Sequence, residues 1–242
     1  MLSTSDLTFI EKKGITAEMI DAQLKRFEVG FPFLKINAVA TIGNGIKAFS
    51  PEETAACVKA WSDFQQTGKA IEKFVPASGA ASRMFKNMFA FASSGKDAPT
   101  TDFEKEYFEN ITKFAFYADL NNACRKLYRS NVQELMSAGR YVDVVKAMLE
   151  PEGLNYGFLP KALLKFHKTT GGNAHTPLEE HLEEGAQYAA DKNRKVNLHF
   201  TVSPEHKAEF EKLLTAKLPI YEQVWGVKYN VTISKKKSST DT

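Results

Sequence analysis

The chain has 242 residues, of which 43% are hydrophobic and 25% charged, the balance of a folded globular protein rather than of a disordered one. Its net charge of +3 gives no warrant for a nucleic-acid partner, which needs basic residues gathered on one face. Two cysteines, Cys57 and Cys124, are too few for a disulfide framework or a cysteine-built zinc site. Both lie in apolar helical surroundings and are expected to be buried free thiols of a reducing compartment.

The start, Met1-Leu-Ser-Thr-Ser-Asp-Leu-Thr, lacks the basic and apolar regions of a signal peptide. No apolar run reaches the roughly 18 residues that span a bilayer. The expectation is a cytoplasmic protein with no membrane contact. Residues 1–69 read as a helical and extended lead-in, with Met19, Ile20, Leu24 and Phe27 at helical spacing, a Pro32-containing extended stretch and a turn at Gly43-Asn-Gly45. Ser50-Pro51-Glu52-Glu53 opens a helix with a capping box that should run to about Gln66. A short strand is expected over 71–75, then a break, then a helix opening at Met84 and Phe85.

Residues 100–150 read as helices with core-facing stripes. Thr101-Asp-Phe-Glu104 is a second capping box and Gly139 a separator. Pro151-Glu-Gly153 ends the run. Thr176-Pro177-Leu178-Glu179 starts another helix. Residues 196–202 alternate as a strand, Ser203-Pro204 is expected to cap a helix of about eighteen residues, and 227–233 alternate again. Strand, helix, strand of these lengths predicts a parallel crossover. Strict alternation in parallel strands is unusual and predicts a sheet that is partly covered or near an edge. Lys235-Lys-Lys237 reads as a solvated end.

The segment Ala77-Ser78-Gly79-Ala80-Ala81-Ser82-Arg83 sits between strand and helix. Its small residues would let backbone approach a bulky ligand. The free N–H groups and positive dipole end of the following helix would favour an anion such as phosphate. Arg83 would add a bidentate, permanently charged contact, and Lys86, one turn on, would extend the site or simply lie exposed. The spacing fits neither a P-loop nor a dinucleotide fingerprint. The plain alternative is a small-residue turn with a surface arginine.

Two further blocks follow in order: Pro160-Lys161-Ala-Leu163-Leu164, then Pro177-Leu178-Glu-Glu180-His181-Leu182. Together the three resemble the sugar-nucleotidyltransferase superfamily, whose pattern runs Ala-Ala-Gly-x-Gly-Thr-Arg-Met, Pro-Lys-x-Leu-Leu, Pro-Leu-Leu-Glu-His-x-Leu. Gly79, Arg83 and Met84 match the first block, and Ser82 replaces its threonine. Ala81 departs from the family's second glycine, and the gap between the first two blocks is much longer here.

The resemblance implies an α/β, partly parallel, incomplete nucleotide-diphospho-sugar-transferase-like sheet, occupying 70–242, with a large helical insertion at about 88–158. It implies nucleotidyl transfer from a nucleoside triphosphate to a phosphorylated small molecule. Arg83 would act on the β- and γ-phosphates and Lys161 on the α-phosphate, with the 77–82 backbone as cradle. It also implies Mg²⁺, for which no carboxylate ligand is identified. Two rival readings are a non-catalytic nucleotide- or sugar-phosphate-binding module and a helical interaction domain.

Nearly the whole chain also resembles an uncharacterised bacterial family, through Gly30-Phe-Pro-Phe-Leu34, Phe74 to Lys86, Leu159 to His167 and Ser239-Thr-Asp-Thr242. Its members are longer, so this chain is expected to be an N-terminal part that lacks the metal-binding half. The histidines fit no zinc motif. His181 is expected on a solvated acidic helix face. His167 and His175 bracket the Gly171-Gly172 loop, where a substrate contact is the alternative to a plain surface loop.

Overall fold

A computed structural model describes residues 2–169 and 171–237; the Ser239-Thr-Asp-Thr242 segment lies outside them. The chain divides into two compact units, one reaching to Lys69 and the other Ala70–Lys235. In the first, α1 (Thr4–Lys12), α2 (Ala17–Val29) and α3 (Pro51–Gln65) are joined by extended backbone holding a minimal strand pair, β1 (Thr41–Ile42) and β2 (Gly45–Ile46). The predicted box at Ser50 forms: its hydroxyl accepts from the Glu53 N–H at 3.2 Å, and the Glu53 carboxylate accepts from the Ser50 N–H at 3.0 Å. None of the three helices buries a residue. Cys57, expected to be buried, is therefore exposed, while Cys124 is buried in the second unit. The apolar spacing around Cys57 marked a helix face but not what covers it.

The second unit begins with β3 (Glu72–Pro76) and continues through α4 (Lys86–Ser93), α5 (Asp102–Glu109), α6 (Tyr117–Tyr128), α7 (Val132–Ser137) and α8 (Tyr141–Leu149). A hairpin of β4 (His167–Lys168) and β5 (Ala174–His175) precedes α9 (Pro177–Tyr188), β6 (Lys195–Val202), α10 (Lys207–Trp225) and β7 (Lys228–Lys235). The strands β3, β6 and β7 form one sheet in that order, parallel throughout, with Phe74 opposite His199 and His199 opposite Thr232. The β6–α10–β7 crossover is the one the alternation and lengths predicted.

Alternation has a direct cause. Val196, Leu198, Phe200 and Val202 point to one face and are fully buried against Leu178, Leu182 and Ala186 of α9 and Phe210 and Leu214 of α10. The opposite face carries Phe74, 62% exposed, stacked 5.2 Å from the His199 ring. The His199 nitrogens reach Thr232 Oγ1 at 2.7 Å and Ser234 Oγ at 2.8 Å. Among the described residues of this unit, α9 and α10 cover one face, so the strands read like those of a half-covered sheet. Gly185 lets α9 lie close: a Cβ there would stand 2.9 Å from Val196 Cγ1 and 3.1 Å from Leu198 Cδ2.

A second core holds the helices. Phe91, Phe108, Ile111, Leu120, Leu135, Val144 and Met148 are buried there together, as the 100–150 stripes required. Two helix starts differ from expectation. Ser203 makes no side-chain cap; it is buried, and a 3₁₀ turn over Pro204–His206 precedes α10. The helix expected to open at Met84 starts at Lys86, because the Met84 N–H bonds the Ala81 carbonyl at 2.9 Å in a tighter turn.

The second box, at the start of α5, forms around a buried carboxylate. Glu104 accepts from the N–H groups of Thr101 at 2.9 Å and Thr100 at 2.7 Å, with Lys96 Nζ at 3.3 Å. These bonds hold its carboxyl at about 2, below the ordinary 4.5. A depressed carboxylate contributes stability above its unfolded value and loses it as pH falls through the folded one. Stability, measured by urea unfolding, should therefore fall between about pH 4.5 and 2 with a steeper slope than in Glu104→Gln.

Candidate functional site

The 77–82 loop leaves the carboxyl end of β3. The Ala77 N–H still bonds the Thr201 carbonyl at 2.8 Å, which ties the loop's first residue to β6. Ser78 is half-buried, Gly79 and Ala80 are exposed, and Ala81 is 1% exposed. The second block meets this loop through its backbone. Ala80 and Pro160 form an antiparallel bridge, and the Lys161 N–H donates to the Gly79 carbonyl at 2.9 Å. Residues 161–163 then make a 3₁₀ turn that packs on α9.

Both blocks step between the two cores. Ala77 and Ala162 belong to the sheet core, and Ala81 and Leu164 to the helical core. The buried alanines anchor each strap, which leaves Gly79, Ala80 and Lys161 outside. A Cβ on Gly79 would meet nothing within 4 Å, so the fold itself does not require glycine there.

Arg83, Lys86 and Lys161 are exposed. Among the described residues, none of the three is in an ion pair, whereas the neighbouring Lys165 pairs with Asp119 at 2.8 Å and Lys73 pairs with Glu184. The structure thus brings together the backbones of the first two blocks and leaves three cations on them without carboxylate partners.

The third block lies on α9. Leu178 and Leu182 are fully buried in the sheet core beside Ala162, so this block is joined to the second by packing. His181, expected on a solvated face, is half-buried: its Nδ1 is 3.0 Å from Glu184 and its ring is 6.4 Å from that of Phe200. The charges flanking it in sequence gave no sign that the sheet lies beneath.

A second cluster arises where the β4–β5 hairpin faces α9 and α10, around a cavity of about 700 Å³. His175 is buried, with Nε2 on Glu180 Oε1 and Nδ1 3.4 Å from the Tyr221 hydroxyl. His167 Nδ1 approaches the same Glu180 oxygen at 3.5 Å. Buried Glu179 pairs with Lys217 at 2.7 Å. Burial opposes ionisation of Glu179, but hydrogen bonds from Lys217 and the Thr176 N–H keep its carboxyl below the ordinary range. Burial, then the carboxylates of Glu179, Glu183 and Glu180, push the Tyr221 hydroxyl above the tyrosine range. The two histidines bracketing a glycine loop were the sequence signal for this cluster. Tyr221, on a helix distant in sequence, gave none. Among the described residues, no group of three or more His, Cys, Asp or Glu is arranged to hold a metal ion.

The molecule is an α/β protein built on a short parallel sheet with a large helical body. The family model described as "Domain of unknown function (DUF4301)" matches residues 3–242, and the chain belongs to that family. Comparisons with curated proteins and with solved structures gave no match. Among the described residues, no helix is long and apolar enough to cross a membrane.

Proposed function

We propose that the chain binds a nucleoside triphosphate on the 77–82 loop and transfers its nucleotidyl group to a phosphorylated small molecule. The observation that carries this reading is the Lys161–Gly79 hydrogen bond, which sets two blocks distant in sequence side by side. They meet at the carboxyl end of a strand in a parallel sheet, where open α/β sheets bind ligands. Arg83, Lys86 and Lys161, in no ion pair among the described residues, supply the positive charge a polyphosphate needs.

In the reaction, an oxygen of the acceptor phosphate bonds to the α-phosphorus, and the bond to the bridging oxygen breaks to release pyrophosphate. Negative charge grows on the α-phosphoryl oxygens and on the leaving group. Lys161 is assigned to the former, Arg83 and Lys86 to the latter, and the 78–82 backbone holds the chain of phosphates. The side chains named at the loop are cations, and among the described residues no group of three or more His, Cys, Asp or Glu is arranged to hold a metal ion, so no step is assigned to magnesium. The same observation favours a second reading, a phosphate-binding module without catalysis.

The experiment is a thermal-shift panel of nucleoside triphosphates with Mg²⁺, paired with pyrophosphate release in the presence of sugar 1-phosphates. A shift with release supports transfer; a shift without it supports the binding module; neither rejects the site. Gly79→Ala separates fold from ligand. The new methyl meets only open space, so unliganded stability should hold or rise by about 0.4–1 kcal/mol, while the triphosphate-induced shift should shrink.

A further inference from the structure

We infer that the cavity between the β4–β5 hairpin and helices α9 and α10 is a second binding site, independent of the phosphate loop, for a neutral polyhydroxylated small molecule of the sugar or cyclitol class. At about 700 Å³ it falls in the range of small-molecule sites. One wall is apolar and aromatic, formed by Trp225, Ile220 and Val224 of α10, and suits the C–H face of a sugar ring. The rest of the lining is polar: Glu179 pairs with Lys217, Glu180 meets His175 and His167, and Lys168 and Glu183 also line the cavity. Three carboxylates against two ammonium groups leave one formal negative charge among many closely spaced donors and acceptors, a lining that matches vicinal hydroxyl groups.

The buried chain Glu180–His175–Tyr221 sets the polarity of this wall. With one proton on the His175 ring, the acceptor-only Glu180 carboxylate draws it to Nε2. Nδ1 is then the acceptor and takes the Tyr221 O–H. Tyr221 lines the cavity, and its oxygen lone pairs are left to accept from a ligand hydroxyl. Burial and the surrounding carboxylates keep that hydroxyl protonated. Glu180 and His175 are thus positioning residues and Tyr221 the contact residue.

The test uses the full chain carrying Trp61→Phe, which leaves Trp225 as the sole indole. Neutral hexoses, pentoses and inositols are titrated while its fluorescence is followed. At least one should perturb it saturably. Tyr221→Phe should weaken that binding about tenfold, the value of one hydrogen bond. Glu180→Gln should weaken it too, and nitrogen NMR should show His175 losing its fixed Nε2–H tautomer while circular dichroism stays unchanged. Titrations in which no sugar or cyclitol perturbs Trp225, or binding that survives Tyr221→Phe undiminished, would overturn the assignment.

Discussion

Arg83→Ala is expected to lower the rate of pyrophosphate release by about 10²–10³, the usual loss when one fixed group that stabilises developing charge is removed. Lys161→Ala should cost a similar factor. Both side chains are exposed and outside any ion pair among the described residues, so neither change should move the melting temperature of the unliganded protein. That separation makes the measurement decisive: a loss of rate cannot be assigned to unfolding. Arg83→Lys should recover only part of the rate, because an ammonium keeps the charge but not the two-pronged geometry. The double variant should fall short of the product of the single losses if both groups act on one triphosphate. Wild-type turnover in either single variant removes the assignment.

The largest effect on stability is expected from Phe200→Ala. Phe200 is fully buried at the centre of β6, packed near the rings of Phe210 and His181. Truncation of a buried phenylalanine removes transfer energy and leaves a cavity, at a cost of about 3–5 kcal/mol. Phe74→Ala, on the neighbouring strand but the opposite face, should cost under about 1 kcal/mol, because the ring is largely in water and loses mainly its stacking on His199. Urea unfolding of the two variants measures the difference. Equal losses would mean that the outer face is covered in solution.

The β6–α10–β7 crossover and three helix starts were legible in the sequence because their causes are local. Ser50, Thr101 and Thr176 each stand three residues before a glutamate, and each makes the reciprocal bonds. Val196, Leu198, Phe200 and Val202 alternate because one face is covered. Where a cause is tertiary, local reading failed. Cys57 lies on an apolar helical spacing that nothing in its unit buries. Ser203 has the chemistry of a cap, but the chain turns through a 3₁₀ segment before the helix.

The candidate site divides in the same way. Gly79, Arg83 and Lys161 are visible as residue types, but only the Gly79–Lys161 bond makes them neighbours. The His175–Glu180–Tyr221 chain needed three elements, a hairpin and two helices, to come together. Tyr221 carries no local mark that separates it from any other aromatic on an amphipathic helix.

The alanine anchors of the two straps have a mechanical consequence. Ala77 and Ala81 fasten one strap, and Ala162 and Leu164 the other, to different cores. An anion held by Gly79, Arg83 and Lys161 would touch the first strap between and just beyond its fastenings and the second just before its own, like a staple across a seam. Its occupancy would be felt as a torque between helical body and sheet, and any twist of one body on the other would loosen the grip.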